Sequence, residues 1–368
     1  MSRYVLATVD AGGNVPPMAG IARELVRRGH AVTLLAHAHQ AEALAATGAN
    51  VVAYPTGRTY VAAEQRSDLA DMVAFSGMMA DRAIARDIRE AADRERADAV
   101  LIDCLLPRAI RTLSQSRHAT AVLVHTLWSY WRAASRGPFG LAVAARGSRM
   151  LGDAQRADLI IVATLPSLDA LDERDRRNTA LHHVGGVWSD AGREATPDEP
   201  EHILVSLSTT AYSGQPEVLQ RIVTALRDLP HRVVVTTGPA LDPGTLDSAA
   251  NIDVRRWADH GALLPRATAL VTHGGHSTTM RALEHGVPMV VVPLHSDLDQ
   301  PRIAELLSQR GAAVHVQRTA PPDEISRAVQ RVLEEPSYRE AAHRLQQELR
   351  ERDGAAVSAD LLEHLAST

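Results

Sequence analysis

Short apolar runs alternate with amphipathic stretches along the chain, and this alternation predicts strands and helices in turn. Residues 4–9 form an apolar run, and a glycine-containing turn follows it. Ile21 and Leu25 then begin a helical stripe that ends at Gly29, and residues 31–35 form the next apolar run. Strands that alternate with helices form parallel sheets covered on both faces, so the pattern predicts an α/β fold of doubly wound, Rossmann-like sheets.

The pattern pauses once and then restarts. Residues 184–200 are polar, with glycine, proline and acidic residues, and a new apolar run begins near Ile203. We expect an N-terminal domain at 1–186, a linker at 187–201 and a C-terminal domain at 202–368, with the last helix packing back on the first domain. A length of 368 residues suits two domains. Ligands bind at the carboxyl ends of the strands in such sheets, so we expect a site in the cleft between the domains.

Composition narrows the class of protein. A net charge of −5 gives no basic surface for nucleic acid, and a single cysteine, Cys104, excludes a disulfide framework. All 39 basic residues are arginine, which excludes a P-loop lysine and a lysine Schiff base. The most apolar stretch, residues 287–294, is too short to cross a bilayer. We therefore expect a cytoplasmic protein, monomeric or homodimeric, without nucleic-acid partners.

The segment 271–300 predicts an anion site. It reads as a strand, a turn of sequence HGGH, a helix that begins near Ser277, and a glycine stop at Gly286. The start of a helix presents unpaired N–H groups and the positive end of the dipole. Histidine and hydroxyl side chains at that point favour phosphate, although serine and threonine are also ordinary helix caps.

Three segments together resemble a known family. Residues 257–300 resemble the nucleotide-sugar signature of inverting GT-B glycosyltransferases that modify natural products, above all the actinobacterial antibiotic glycosyltransferases. Residues 13–33 and 204–210 extend the resemblance. It implies two Rossmann-like domains that face an interdomain cleft, acceptor binding by the first, donor binding by the second, and no metal or cofactor. The donor-binding residues it implies are Ser208, Thr209, Trp257, Ala258, His260, His273, Gly274, Gly275, His276, Ser277, Thr278, Asp299 and Gln300.

Several of these positions carry a specific implied role. Trp257 matches the tryptophan that stacks on the pyrimidine, and Asp299 and Gln300 match the pair that binds sugar hydroxyls. Structural alternatives exist, since Trp257 would also serve as a core anchor and Asp299 as a helix cap before Pro301. For Gln300 we expect no structural reason. His273, Ser277 and Thr278 would stabilise charge on the leaving diphosphate.

One departure from the family concerns the nucleotide. Arg281 stands where the family has a glutamate that binds the ribose hydroxyls, and a guanidinium cannot accept hydrogen bonds. A 2′-deoxyribose needs that contact less. The departure favours a dTDP-sugar over a UDP-sugar, unless Arg281 only faces solvent.

A second departure concerns the general base. Asn14 stands where the family has the basic histidine, whereas the partner aspartate is present as Asp103. An asparagine cannot take a proton. Three alternatives follow: Asp103 is the base, directly or through water; His125 or Asp10 replaces the histidine; or the acceptor is acidic enough to need little help.

Apolar residues of the first domain are candidates for the acceptor site. Tryptophans and methionines cluster in two segments of a chain with few aromatic residues, and flexible apolar side chains suit a polyketide-like aglycone. Arginines and a serine follow Trp131 directly, which predicts a surface region there. The acceptor candidates are Gly13, Met72, Phe75, Met79, Trp128 and Trp131.

We therefore predict an enzyme that transfers a sugar from a nucleotide sugar to a small apolar natural product, with inversion and without metal. Two alternatives remain open. One is a pseudo-glycosyltransferase that binds nucleotide sugar or partners a true enzyme. The other is a nucleotide-sugar epimerase of the same fold, which would need no aromatic acceptor segment.

Overall fold

The computed structural model describes residues 1–188, 200–247 and 249–368, and it contains two parallel sheets of seven and six strands. Of these residues, 1–61, 67–188 and 352–368 form one compact unit, and 62–66, 200–247 and 249–351 form the other. Most of the predicted linker, residues 189–199, lies outside the described residues. Each unit is built around one sheet, as the restart of the sequence pattern predicts.

The first unit holds the seven-stranded sheet and its flanking helices. Its strands are β1 (Arg3–Ala7), β2 (Ala31–Ala36), β3 (Asn50–Ala53), β4 (Ala99–Asp103), β5 (Ala119–Val124), β6 (Leu159–Val162) and β7 (Leu181–His183). Its helices along the sheet are α1 (Val15–Arg27), α2 (Ala41–Ala45), α3 (Asp68–Met79), α4 (Arg82–Glu95), α5 (Pro107–Leu113), α6 (Trp128–Ala134), α7 (Pro138–Ala145), α8 (Met150–Ala154) and α9 (Glu173–Arg176).

The second unit holds the six-stranded sheet. Its strands are β8 (His202–Ser206), β9 (Val233–Thr236), β10 (Ile252–Arg255), β11 (Ala267–Thr272), β12 (Met289–Val291) and β13 (Ala313–His315). Its helices are α10 (Gln215–Leu226), α11 (His260–Leu263), α12 (His276–Glu284), α13 (Gln300–Gln309), α14 (Pro322–Glu334) and α15 (Pro336–Arg350). The final helix, α16 (Gly354–Ser367), belongs to the first unit.

Both sheets change direction once in their strand order. The first runs β3-β2-β1-β4-β5-β6-β7 and the second β10-β9-β8-β11-β12-β13, with every pairing parallel. The chain therefore winds outward in opposite directions from β1 and β4, and from β8 and β11. In each sheet, the loops at the carboxyl ends of these two central strands diverge and leave a crevice for ligands. The prediction of two doubly wound parallel sheets is confirmed.

The cores are aliphatic, as the scarcity of aromatic residues requires. β4 and β8 are buried along their whole length because helices cover both faces of each sheet. Leu6 and Leu101 lie in the core of the first unit, and Ile203 and Val271 in that of the second. No helix within the described ranges is long and apolar enough to span a bilayer.

A charged network holds α16 against α1. Arg28 donates to Glu24 at 2.8 Å and to the carboxylates of Asp360 and Glu363 at 2.6 and 3.0 Å. It also donates to a backbone carbonyl in α16 at 3.0 Å, and His30 lies 2.7 Å from Glu363. The Arg28 side chain is only 19% exposed, although its partner Asp360 is 68% exposed. We infer that Arg28 is the main polar attachment of α16.

Replacing Arg28 therefore tests the attachment. We expect Arg28→Ala to lower the free energy of unfolding of the first unit by about 2 kcal/mol, because several hydrogen bonds to a charged group are lost together. The matched control is Arg27→Ala, since Arg27 is 69% exposed and its ion pair with Glu24 lies within α1. It should cost less than about 1 kcal/mol. Urea unfolding followed by circular dichroism measures both, and equal losses would contradict the assignment.

Candidate functional site

In the second unit, the predicted donor residues gather at the change of strand direction. His273 directly follows β11, and Ser208 comes two residues after β8; these two strands are hydrogen-bonded neighbours. The turns that carry them therefore lie side by side at the carboxyl edge of the sheet. This is the place where α/β sheets bind ligands.

Two glycines shape the turn after β11. Gly274 has a φ of +84°, and a Cβ there would lie 2.8 Å from Val291 Cγ1. Gly275 caps α12, and a Cβ on it would lie 2.5 Å from His273 Nε2. Both positions require glycine, one for its conformation and its close approach to β12, the other for the imidazole packed against it. The turn thus brings the His273 ring to the first turn of α12.

The start of α12 can bind an anion. The N–H groups of His276, Ser277 and Thr278 have no acceptor earlier in the helix, since it begins at His276. The positive end of the helix dipole adds to their attraction for negative charge. Burial lowers the pKa of His273 to about 3, so its imidazole is neutral at physiological pH. Its Nδ1 has no hydrogen-bond partner among the described residues.

The turn after β8 packs closely against its neighbours. A Cβ on Gly238 would lie 2.8 Å from the Ser208 carbonyl oxygen, and Gln215 Nε2 donates to that same oxygen at 3.3 Å. The Tyr212 ring lies 6.2 Å from the His273 ring and 6.3 Å from the His295 ring. Tyr212 and His295 therefore belong to this region although the sequence pattern did not single them out.

Trp257 and His260 follow β10, three strands from His273. Trp257 is 73% exposed, so it is not a core anchor, and that structural alternative is wrong. Burial and the charge of Arg281 lower the pKa of His260 to about 4. This effect requires Arg281 to lie near His260, so the position at which the chain departs from the family's glutamate adjoins one of the implied donor-binding residues. Ala258, which follows Trp257 directly, is half-buried.

Asp299 and Gln300 stand at the start of α13. Asp299 occupies the cap position, but its side chain makes no capping hydrogen bond. Gln300 is buried, and its Oε1 accepts from the N–H groups of Leu294 and His295 at 2.7 and 3.1 Å. The expectation that Gln300 has no structural reason is therefore wrong. These bonds fix the orientation of its amide.

In the first unit, Asp103 and Asn14 meet across the change of strand direction. Asn14 Nδ2 donates to Asp103 Oδ2 at 2.6 Å and to the Val9 carbonyl at 2.8 Å. Thr8 Oγ1 donates to the same Asp103 oxygen at 3.1 Å, and the Leu105 N–H donates to Oδ1 at 3.0 Å. Asn14 and Asp103 are fully buried. The Asp103 side chain therefore accepts hydrogen bonds at both of its oxygens and lies away from solvent.

His125 lies on the other side of the same carboxylate. Its Nδ1 is 3.7 Å from Asp103 Oδ1 and 3.6 Å from Cys104 Sγ. The His125 side chain is 16% exposed, whereas those of Asp103 and Cys104 are buried. Of these three groups, His125 alone combines access to solvent with a nitrogen that can take a proton.

A second histidine–carboxylate pair lies at this edge of the sheet. His39 Nε2 is 2.9 Å from Asp10 Oδ2, and the His39 ring stacks on His37 at 5.7 Å. Burial, aided by His39, lowers the pKa of His37 to about 4. Gly13 is exposed in the turn that also contains Asp10. A role of Asp10 as the base stays a prediction.

The predicted acceptor residues divide into two groups. Trp128, Trp131 and Met79 are buried, so the expected surface region around the two tryptophans is wrong. Asp169 accepts from the N–H of Trp128 at 2.7 Å, at the start of α6. Neither indole N–H has a hydrogen-bond partner among the described residues. An acceptor role for these residues stays a prediction.

Helices α3 and α7 carry the exposed apolar surface of the first unit. Leu69, Val73 and Leu141 are 67%, 50% and 64% exposed, and the first two lie one turn apart on α3. Phe75 stacks on Phe139 of α7 at 5.5 Å between ring centres. Met72, which lies about one turn before Phe75 on α3, is half-buried. Which apolar residues stay exposed depends on tertiary packing. The spacing of apolar residues in α3 therefore did not predict this surface.

Comparison with known proteins agrees with this arrangement. Residues 198–353 match the family model described as UDP-glucoronosyl and UDP-glucosyl transferase. The chain is 28% identical to a demethyllactenocin mycarosyltransferase of Streptomyces fradiae, over 100% of its own length and 87% of that protein's. It is 33% identical to a 4'-demethylrebeccamycin synthase of Lentzea aerocolonigenes, over 56% of its own length and 50% of that protein's.

A solved structure extends the match to the whole fold. The crystal structure of the glycotransferase of kitacinnamycin superposes with a TM-score of 0.80 at 25% identity, covering 99% of both chains. Family model, relatives and solved structure confirm the resemblance predicted from the sequence. The chain is a glycosyltransferase of the GT-B fold, and antibiotic glycosyltransferases are among its relatives.

Proposed function

We propose that the protein transfers a sugar from a nucleotide sugar to a small apolar natural product, with inversion at the anomeric carbon and without a metal cofactor. The observation that carries the proposal is the neutral, buried His273 beside the start of α12, at the change of strand direction in the second sheet. The names of the relatives, a mycarosyltransferase and a rebeccamycin-type synthase, support an antibiotic-like acceptor.

The second unit would bind the donor. The diphosphate would lie at the N–H groups of His276, Ser277 and Thr278, with Ser208 and Thr209 on its other side. Trp257 would stack on the base, and its exposure supports this role. The Gln300 NH₂ would donate to a sugar hydroxyl beside the Asp299 carboxylate. As the bond from the anomeric carbon to the diphosphate breaks, the fixed N–H donors would stabilise the charge left on the phosphate.

The first unit would supply the base. Asp103 is buried and both of its oxygens already accept hydrogen bonds, which argues against direct contact with an acceptor. His125 has its Nδ1 toward Asp103 and reaches solvent. We therefore favour His125 Nε2 as the group that takes the proton from the acceptor hydroxyl, with Asp103 as a positioning residue. The exposed apolar residues of α3 and α7 would bind the aglycone.

Loss of the His273 imidazole tests the donor site. We expect His273→Ala to weaken binding of an intact nucleotide sugar by about tenfold or more, because a phosphate hydrogen bond is lost. Titration calorimetry of dTDP-glucose and UDP-glucose measures it. The matched control is His231→Ala, at the opposite edge of the same sheet, which should leave affinity unchanged. Equal affinities for both variants would remove His273 from the donor site.

Replacement of Arg281 tests the nucleotide preference. We propose that the protein binds dTDP more tightly than UDP, and we expect Arg281→Glu to shift the ratio of dissociation constants toward UDP by about tenfold, since a carboxylate accepts from the ribose hydroxyls. The variant also removes the positive charge beside His260. Tighter UDP binding by the unchanged protein would overturn the preference.

The choice of base is tested with matched histidine variants. We expect His125→Asn to lower kcat by about 10²-fold or more with nucleotide binding unchanged, and Asp103→Asn to lower it as well. His39→Asn removes the other histidine–carboxylate pair and should keep full turnover. Loss of turnover only in His39→Asn would assign the Asp10 pair instead. Phenol acceptors of graded pKa add a readout, since acidic phenols should depend least on His125.

Product analysis separates transfer from the other functions. Incubation with dTDP- and UDP-sugars and a panel of polyketide aglycones, followed by intact-mass measurement, should show mass added to an aglycone. Epimerisation of the nucleotide sugar without an aglycone product would favour the epimerase. Nucleotide-sugar binding with neither reaction would favour a pseudo-glycosyltransferase.

A further inference from the structure

Three ligand-forming side chains lie together beside the proposed base. Asp103 Oδ1, Cys104 Sγ and His125 Nδ1 all lie within 4.8 Å of one another. Asp103 is the last residue of β4, Cys104 follows it, and His125 follows the neighbouring β5. Carboxylate, thiolate and imidazole are the ligands that zinc takes in proteins.

The measured separations suit tetrahedral coordination. With zinc about 2.3 Å from sulfur and about 2.0–2.1 Å from nitrogen or oxygen, ligand atoms of one tetrahedron are about 3.3–3.6 Å apart. The His125 Nδ1 lies 3.6 Å from Cys104 Sγ and 3.7 Å from Asp103 Oδ1. The ligand atoms of Asp103 and Cys104 lie within 4.8 Å of each other, so these two side chains would have to rotate toward one another to complete three of four positions. The fourth position would hold water.

The surroundings of Asp103 also resemble the outer shell of a metal site. Asn14 Nδ2 and Thr8 Oγ1 both donate to Oδ2, and the Leu105 N–H fixes Oδ1. Hydrogen bonds of this kind hold a ligating carboxylate in place and commonly contribute to metal affinity. The asparagine that replaces the family histidine thus fixes the carboxylate without adding a competing base.

We propose that Asp103, Cys104 and His125 form a zinc-binding site, and that zinc bound there inhibits transfer. Binding would replace the thiol proton of Cys104, which leaves to solvent, so one proton is released for each ion. On His125 the metal would occupy the Nδ1 lone pair and move the ring proton to Nε2. A protonated Nε2 cannot take the proton of an acceptor. The inhibitory part rests on the proposed function of His125; the metal site does not.

Direct binding tests the site without any assay of transfer. Chelator-treated full-length protein would be titrated with Co²⁺, whose thiolate complexes give a charge-transfer band in the near ultraviolet, and with Zn²⁺ in competition with a chromophoric chelator. We expect one ion per chain and the thiolate band in the unchanged protein. Cys104→Ser and Cys104→Ala should both lose the band and weaken Zn²⁺ binding by about 10²-fold or more, as expected for a lost direct ligand.

The matched control is His39→Ala, which removes a histidine from the other carboxylate pair at the same sheet edge and should bind zinc unchanged. Circular dichroism confirms that each variant is folded. Absence of the thiolate band from the unchanged protein, or zinc affinity unaffected by both Cys104 variants, would overturn the site.

Transfer assays then test the inhibition. Zinc should abolish transfer by the unchanged protein at the concentration that saturates the site, while Cys104→Ala, whose cysteine takes no part in the proposed transfer, should resist it. Transfer that continues with the site saturated would overturn the inhibition. A protein that binds zinc through Cys104 but transfers no sugar would support the site and count against the proposed function.

Discussion

The change of strand direction in each parallel sheet is the constraint on which the sites depend. It parts the loops after β1 and β4 in one unit and after β8 and β11 in the other. The hydrogen bond from Asn14 to Asp103 spans the first division, and the turns of Ser208 and His273 flank the second. The strand order thus places residues that are far apart in the sequence next to each other, independently of their side chains.

The two candidate sites each contain a buried polar side chain, and the two side chains differ in their surroundings. His273 is desolvated and stays neutral, which suits a donor of hydrogen bonds to an anion. Asp103 is equally buried, but its two oxygens accept hydrogen bonds from Asn14, Thr8 and Leu105. Each unit thus places a buried polar side chain at the carboxyl end of a strand, and the hydrogen-bond donors around that side chain set the difference between them.

Local sequence predicted what depends on local chemistry. The glycine turn at Gly274 and the start of α12 follow from residue types and spacing, and so does the alternation of strands and helices in parallel sheets. Exposure did not follow. Trp128 and Trp131 are buried although arginines and a serine follow them in the sequence, whereas Leu69 and Leu141 remain exposed. Gln300 acquires a structural role only where the β12 loop folds over it. The pairing of His125 with Asp103 required knowledge that β4 and β5 are neighbours.

The attachment of α16 by Arg28 has a consequence for biosynthesis. The helix that covers part of the first core is translated only after every strand of the second sheet has been made. During synthesis on the ribosome, the first unit must therefore remain incomplete while the second emerges, with the surface that α16 later covers still open to solvent or to chaperones. The first unit thus begins to emerge before the second but is completed after it.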